Sequence, residues 1–255
     1  MKDKKSAYIS EIFDSIQGEG IFNGVRQIFI RFSGCNLNCS YCDTDHKKKN
    51  VCSVYKLAHS GRPSRISTVK NPMTVNDIVS ILKEYLSRNP HKRSDAYHSI
   101  VFTGGEPLLR SDFIKELLLQ IRQMGFKAYL ETNGTKPKEL KKIVSKIDYI
   151  AMDIKLPSAT NRFFWSEHKE FLEIGRKKIF VKLIIDSKTK LNEIRKAVML
   201  VVSINKKMPF ILQPATINSK KIFDIEKVIS FRKEISDILK DIRIIPQMHK
   251  IIGIK

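Results

Sequence analysis

Residues 27–44 read QIFIRFSGCNLNCSYCDT, a β-prone run that passes through one glycine into a loop of thiols. Gln27–Phe32 is rich in β-branched and aromatic side chains, the composition of a strand. Cys35, Cys39 and Cys42 follow at CxxxCxxC spacing, and Cys52 completes the set; no other position holds cysteine. Such clustering in a chain of this size points to metal or redox chemistry rather than to a disulfide framework. Three thiolates in one loop suit a 4Fe–4S cluster and leave one iron open to an outside ligand. Zinc would require a fourth protein ligand, which Cys52 or His46 would have to supply.

Outward from that strand, short apolar runs alternate with helical patterns. Further strands are expected at Ser99–Phe102, Ala128–Glu131, Tyr149–Asp153, Ile179–Ile185, Phe210–Gln213 and Ile242–Pro246. Between and after them, helices are expected at Thr74–Ser87, Ser111–Met124, Pro137–Lys146, Arg162–Glu173, Leu191–Val202 and Ile222–Lys240. Thr74 stands at an N-cap position, and Gly125 follows as a C-terminal stop. This alternation predicts an α/β fold with a mostly parallel sheet, a partial or modified (β/α) barrel. Ligands then belong at the C-terminal ends of the strands. Residues 45–71 break the pattern: they are basic and polar, with Gly61 and Pro63, and read as an inserted surface loop or subdomain. With no internal repeat or linker visible, residues 1–255 read as one domain.

Composition narrows the function. Hydrophobic residues make up 42% of the chain, enough for a real core. No apolar run reaches the length of a membrane span, and the N-terminus lacks a secretory signal's apolar stretch, so a cytoplasmic protein is expected. The net charge of +21 invites a nucleic-acid reading, but the lysines are scattered and no RNA- or DNA-binding motif accompanies them. Direct nucleic-acid binding is therefore not expected; anionic small molecules match the charge equally well.

The cysteine motif, Thr103-Gly104-Gly105-Glu106-Pro107 after a strand, and Asp153-Ile154-Lys155 closing another together resemble the radical S-adenosylmethionine (SAM) superfamily. That resemblance implies a 4Fe–4S cluster on Cys35, Cys39 and Cys42, with SAM on its open iron. Cleavage of SAM yields a 5′-deoxyadenosyl radical, so no side chain is needed as catalytic acid or base. The same resemblance puts Gly105, Glu106, Asp153, Ile154 and Lys155 against SAM, with the GGEP glycines letting backbone approach its methionine portion.

Further motifs are similar to the 7-carboxy-7-deazaguanine synthase family: Ile16-Gln17-Gly18-Glu19-Gly20, Arg31 before the cysteines, Cys42-Asp43-Thr44, Glu131-Thr132-Asn133-Gly134-Thr135, Gln213-Pro214 and Gln247-Met248-His249. This resemblance spans nearly the whole chain apart from 45–71. It implies conversion of 6-carboxy-5,6,7,8-tetrahydropterin to 7-carboxy-7-deazaguanine in queuosine, archaeosine or other 7-deazapurine biosynthesis. It assigns Ile16, Gln17, Gly18, Arg31, Thr103, Glu131, Gln213 and His249 to substrate and Thr44 to Mg²⁺. A flavodoxin- or ferredoxin-like reductant and a homodimer come with it. Lys182, mid-strand, reads either as a SAM contact or as a strand residue reaching solvent and is given no role, and Cys52 is read as a structural or incidental thiol. Two rivals are a glycyl-radical-enzyme activase, which would need an open groove for a peptide, and a non-catalytic zinc- or RNA-binding protein.

Overall fold

A computed structural model describes residues 6–57, 63–87, 96–217, 220–221 and 223–254. Ten strands form one sheet: β1 (Ile9–Ile16), β2 (Arg26–Phe32), β3 (Val51–Leu57), β4 (Pro63–Lys70), β5 (Ser99–Gly104), β6 (Ala128–Thr132), β7 (Tyr149–Asp153), β8 (Ile179–Ile185), β9 (Phe210–Pro214) and β10 (Ile242–Ile244). Their spatial order is β10-β9-β8-β7-β6-β5-β2-β1-β3-β4. The seven strands from β10 to β2 run parallel to their neighbours; β1 is antiparallel to β2. All seven are the strands expected from the apolar runs. β1 was not among them, because its ISEIFDSI sequence interleaves polar residues with the apolar ones.

Helices α1 (Val75–Ser87), α2 (Ser111–Gln123), α3 (Pro137–Lys141), α4 (Pro157–Thr160), α5 (Trp165–Gly175), α6 (Leu191–Ile204), α7 (Ile225–Ile235) and α8 (Met248–Ile252) make up the helical part. The expected 137–146 helix is split: α3 ends at Lys141 and a separate 3₁₀ turn covers Val144–Lys146. The last long helix is shorter than expected, and Ile222 of its predicted span lies outside the described residues. Thr74 caps α1 as read: Thr74 and Asp77 exchange hydrogen bonds, with Thr74 N–H donating to Asp77 at 2.8 Å and Asp77 N–H donating to the Thr74 hydroxyl at 3.3 Å. Among the described residues, no helix is long and apolar enough to cross a membrane.

The main core lies between the helices and one sheet face. Ile78 and Leu82 of α1, Leu117 and Leu118 of α2, Phe171 of α5 and Val198 of α6 pack with Ile30, Phe102, Leu130, Met152, Val181 and Leu212 from the strands. Burying each such side chain contributes roughly 1.5–3 kcal/mol. The other face curves inward. Phe22, in the loop after β1, lies 4.6 Å from Tyr149 of β7 and 6.1 Å from Phe180 of β8, ring centre to ring centre. In the sheet order β1 and β8 are well apart, so this contact requires the sheet to curl: an open, partial barrel.

Of residues 45–71, read as an inserted surface loop or subdomain, the described part holds two strands. β3 and β4 form an antiparallel hairpin, and β3 pairs parallel with β1, so the segment extends the sheet. Cys52 and Val54 point into the core and are fully buried. Asn71 joins the end of the segment to β1: its Oδ1 accepts from Ile9 N–H at 3.0 Å and its Nδ2 donates to Ile9 C=O at 2.8 Å.

Candidate active site

Strand periodicity builds the site. Side chains two apart share a face. On the concave face Phe29, Val101, Tyr129, Ala151, Phe180 and Ile211 form one apolar layer. Two residues further along each strand stand Arg31, Thr103, Glu131, Asp153, Lys182 and Gln213. These six line a cavity of about 440 Å³ at the C-terminal strand ends. Ile16, Gln17, Gly18, Cys35, Cys39, Cys42, Thr44, Gly105, Lys155 and His249 line it too. Fifteen of the residues assigned from sequence thus meet in one place, along with Lys182, which had no role; Glu106 and Ile154 do not.

The three cysteines sit on the cavity rim with free thiols, whereas Cys52 is in the core. Cys42 N–H donates to Cys39 C=O at 3.1 Å, Leu37 N–H reaches Cys35 Sγ at 3.4 Å, and Asn133 Nδ2 stands 4.0 Å from the same sulfur. Burial pushes the Cys35 and Cys39 thiols up, so a metal that binds them must displace their protons. Three thiols around one cavity, with Cys52 directed elsewhere, fit a 4Fe–4S cluster with one open iron. His46 lines the same cavity, but among the described residues no three His, Cys, Asp or Glu side chains gather into the single-ion site that zinc needs.

The GGEP segment is clamped to this loop. Gly105 N–H donates to Phe32 C=O at 3.1 Å and Glu106 N–H to Gly34 C=O at 2.9 Å. A Cβ on Gly105 would fall 1.9 Å from Gly34 O, so the glycine permits backbone to meet the cysteine loop itself. Glu106 departs from its expected contact with SAM. It is 1% exposed, and its carboxylate accepts from Leu108 N–H at 3.0 Å, the Thr132 hydroxyl at 2.8 Å and Asn133 N–H at 2.8 Å. It braces two loops from behind the wall. Ile154 likewise lies in the apolar core.

Along the opposite wall runs a chain of buried charges. Lys182 pairs with Glu19 at 2.5 Å and Asp153 at 3.2 Å, and Asp153 pairs with Lys155 at 2.9 Å. Burial alone would raise the Glu19 carboxyl, but the Lys182 charge, helped by His249, holds it well below the usual carboxylate range. Burial would lower both Lys182 and Lys155; Asp153 and Glu19 together outweigh it at Lys182, and Asp153 with Tyr41 and Cys39 at Lys155, so both lysines are held well above their ordinary value and stay charged. Beneath, His168 Nε2 lies 3.2 Å from Asn133 C=O and 3.5 Å from Lys155 N, and burial holds this histidine down to about 4. Sequence reading left Lys182 undecided between a SAM contact and a strand residue reaching solvent, because a lone lysine in an apolar strand carries no local signal. Its signal was position: two residues after Phe180, in step with the other five.

The remaining wall is an array of amides and carboxylates. Gln17 Nε2 donates to Gln27 at 2.9 Å and Glu131 at 3.0 Å, while its Oε1 accepts from Glu19 N–H at 3.0 Å. Both Gln17 side-chain N–H groups are therefore taken, which leaves the expected contact through amide groups to its oxygen and its backbone. Glu131 also accepts from the Thr103 hydroxyl at 2.6 Å and, as a carboxylate, keeps further acceptor sites. Gln213 is 1% exposed, and its Oε1 has no hydrogen-bond partner among the described residues. Such a buried acceptor costs free energy unless a ligand donor meets it. Arg31 Nε donates to Glu11 at 3.2 Å, and the guanidinium stands over Phe13, 5.4 Å from the ring centre. Its two terminal nitrogens make no hydrogen bond among the described residues. The segment 247–249 closes the side: Met248 N–H donates to Gly18 C=O at 2.9 Å, and Gln247 donates to Glu19 at 2.8 Å. A Cβ on Gly18 would fall 2.3 Å from His249 Nδ1, so only glycine lets this strap close. Burial keeps His249 below its ordinary value, against the pull of Glu19.

Comparison with known proteins agrees with this geometry. A model of the Radical SAM superfamily matches residues 29–204. The 7-carboxy-7-deazaguanine synthase of Geobacter sulfurreducens is 35% identical, with 98% of each chain covered. That of Archaeoglobus fulgidus is 34% identical over 98% of this chain and 99% of its own. The crystal structure of QueE from Escherichia coli covers 96% of this chain and 95% of that one with a TM-score of 0.62, at 21% identity, a likeness of fold. A thiol loop over a polar layer in a partial parallel barrel, and relatives matched end to end, lead to one conclusion: the chain belongs to the radical SAM superfamily and, within it, to the 7-carboxy-7-deazaguanine synthase family.

Proposed function

We propose that this chain is a radical SAM lyase that converts 6-carboxy-5,6,7,8-tetrahydropterin to 7-carboxy-7-deazaguanine, contracting the ring and releasing one ammonia. Membership of the synthase family supports the reaction class. The observation that carries the reading to this chain's own residues is the polar layer. Arg31, whose terminal nitrogens make no hydrogen bond among the described residues, Glu131, and Gln213, whose buried amide oxygen has no partner among them, line one cavity with three thiols. A carboxylated heterocycle with N–H groups on one edge would satisfy all of them.

Cys35, Cys39 and Cys42 would hold the cluster, which with SAM would supply radical hydrogen-abstraction chemistry at the substrate. Gly105, Asp153 and Lys155 are the residues we assign to SAM. Arg31 offers a planar pair of donors to the substrate carboxylate, and His249, neutral at pH 7, adds a single hydrogen bond there. Glu131 and Gln213 accept from ring N–H groups, and Thr103 keeps the Glu131 carboxylate in place. Ile16 and the Gly18 backbone flank the ring, and the strap at 247–249 excludes water. Thr44 supplies a hydroxyl to Mg²⁺, a cation that prefers oxygen ligands.

The finer assignments of a flavodoxin- or ferredoxin-like reductant and a homodimer follow from the family resemblance, and residues 1–255 as one catalytic domain from the lack of a visible repeat or linker in the sequence. Free thiols at all four cysteines agree with a reducing, cytoplasmic setting. The activase alternative needs an open groove, and the strap tied to Gly18 and Glu19 disfavours it. The test is anaerobic cluster reconstitution followed by turnover with SAM, dithionite and the carboxytetrahydropterin. A product lighter by one ammonia, with deazapurine absorbance, is expected. Absence of product, or a radical formed only on a peptide glycine, would overturn the reading.

A further inference from the structure

A hidden amide lies behind the polar layer. Gln27 is 0% exposed and does not line the cavity. Its Oε1 accepts from Gln17 at 2.9 Å; its Nε2 donates to Ser99 Oγ at 2.9 Å and faces His98 Nδ1 at 3.2 Å. Ser99 Oγ stands 3.0 Å from the same His98 nitrogen. These contacts have a common polarity. Glu131 Oε1 accepts from the Gln17 nitrogen and Glu19 N–H donates to the Gln17 oxygen, so Gln17 presents a donor to Gln27, and the Gln27 nitrogen is left to Ser99 Oγ and His98 Nδ1. The Glu131 and Glu19 contacts of the Gln17 amide are each 3.0 Å. Reversing either amide would set donor against donor and leave buried polar atoms unpaired.

We propose that Gln27 is a positioning residue for substrate recognition. By accepting the other Gln17 N–H, it holds that amide in the one direction Glu131 and the Glu19 N–H also require, and so keeps the Glu131 carboxylate as an acceptor surface. The cavity then admits a heterocycle edge bearing N–H donors and rejects one that presents a carbonyl oxygen there. The inference rests on the pterin reading above and adds the source of its edge selectivity.

Two variants separate positioning from space filling. Gln27→Met keeps the length and deletes donor and acceptor. Gln27→Glu, protonated in that buried setting, keeps an acceptor toward Gln17 and a donor toward Ser99 and His98. Binding of 6-carboxypterin and of 6-carboxylumazine, whose 2-amino group is replaced by oxygen, is measured on the cluster-loaded proteins by fluorescence quenching. The wild type should prefer the pterin by at least about tenfold. Gln27→Met should lose most of that preference, and Gln27→Glu should retain it. A merely structural defect would weaken both ligands alike and leave the ratio unchanged. An unchanged ratio in Gln27→Met, or equal loss in both variants, overturns the proposal. If the wild type binds neither compound, the synthase reading fails, and solvent exchange of the Gln17 side-chain amide, read by NMR, decides the positioning claim. Protection in the wild type and Gln27→Glu but not in Gln27→Met supports it; equal protection in all three overturns it.

Discussion

The two layers inside the curved sheet come from the same six strands, two residues apart, and their chemistry is opposite. Phe29, Val101, Tyr129, Ala151, Phe180 and Ile211 are apolar and packed. Arg31, Thr103, Glu131, Asp153, Lys182 and Gln213 are polar and line the cavity. The lower layer is a core: its contribution is burial. The upper layer includes a buried oxygen without a partner and a chain of paired charges, arrangements that stabilise a fold poorly and suit a ligand. Stability and function therefore separate along each strand by one step of the pleat.

The largest expected contrast lies between thiols. Cys39→Ala should abolish the cluster chromophore, since the site holds only three thiolates, whereas Cys52→Ala should retain it and show only a small cavity cost. An intact visible spectrum in Cys39→Ala, or its loss in Cys52→Ala, would break the division between rim and core. Next comes the lower layer. Phe180→Ala should lower unfolding free energy by about 3–5 kcal/mol in urea titrations, the range for truncating a buried aromatic residue. A loss under about 1 kcal/mol would mean that the layer is not a packed core.

His168 gives a comparable effect with a pH signature. It titrates at about 4 in the folded chain because burial disfavours its charged form. The unfolded value is higher, about 6.5. The unfolded state therefore binds the proton first as pH falls. The stability contribution is full above about 6.5 and is lost between about 6.5 and 4, on the order of 3 kcal/mol. His168→Gln keeps a donor for Asn133 and removes the titration. Urea midpoints across that window should fall less steeply in the variant, and parallel curves would contradict the burial argument.

Smaller effects belong to the upper layer. Arg31→Lys should weaken substrate binding at least about tenfold, or about 1.4 kcal/mol, because one ammonium cannot reproduce two parallel N–H contacts. Its melting temperature should move little. Normal pterin affinity in this variant would remove Arg31 from the carboxylate site. Thr44→Val should abolish most of the rate gain from added Mg²⁺, and an unchanged Mg²⁺ response would remove Thr44 from the metal site.

Much of this was legible in the sequence, and the gaps have physical reasons. The seven parallel strands carry apolar runs that burial on both faces demands, so they stand out. β1 and the β3–β4 hairpin lie toward one edge of the sheet and interleave polar with apolar residues, which hid them. Gathering Arg31, Glu131, Gln213 and the cysteines required only motifs. Lys182 and Glu19 needed three dimensions, because a pair 163 positions apart leaves no local trace. Glu106 misled in the other direction: a carboxylate in a known motif turned inward to brace two loops.

The most direct test of the layer assignment is a crystal structure of the cluster-loaded protein with SAM and 6-carboxypterin. The account predicts ligand density above Tyr129 and Phe180, the carboxylate on Arg31, and ring N–H groups on Glu131 and the Gln213 oxygen. Density outside the cavity, or a carboxylate on Lys182 with Gln213 still unpartnered, would contradict it.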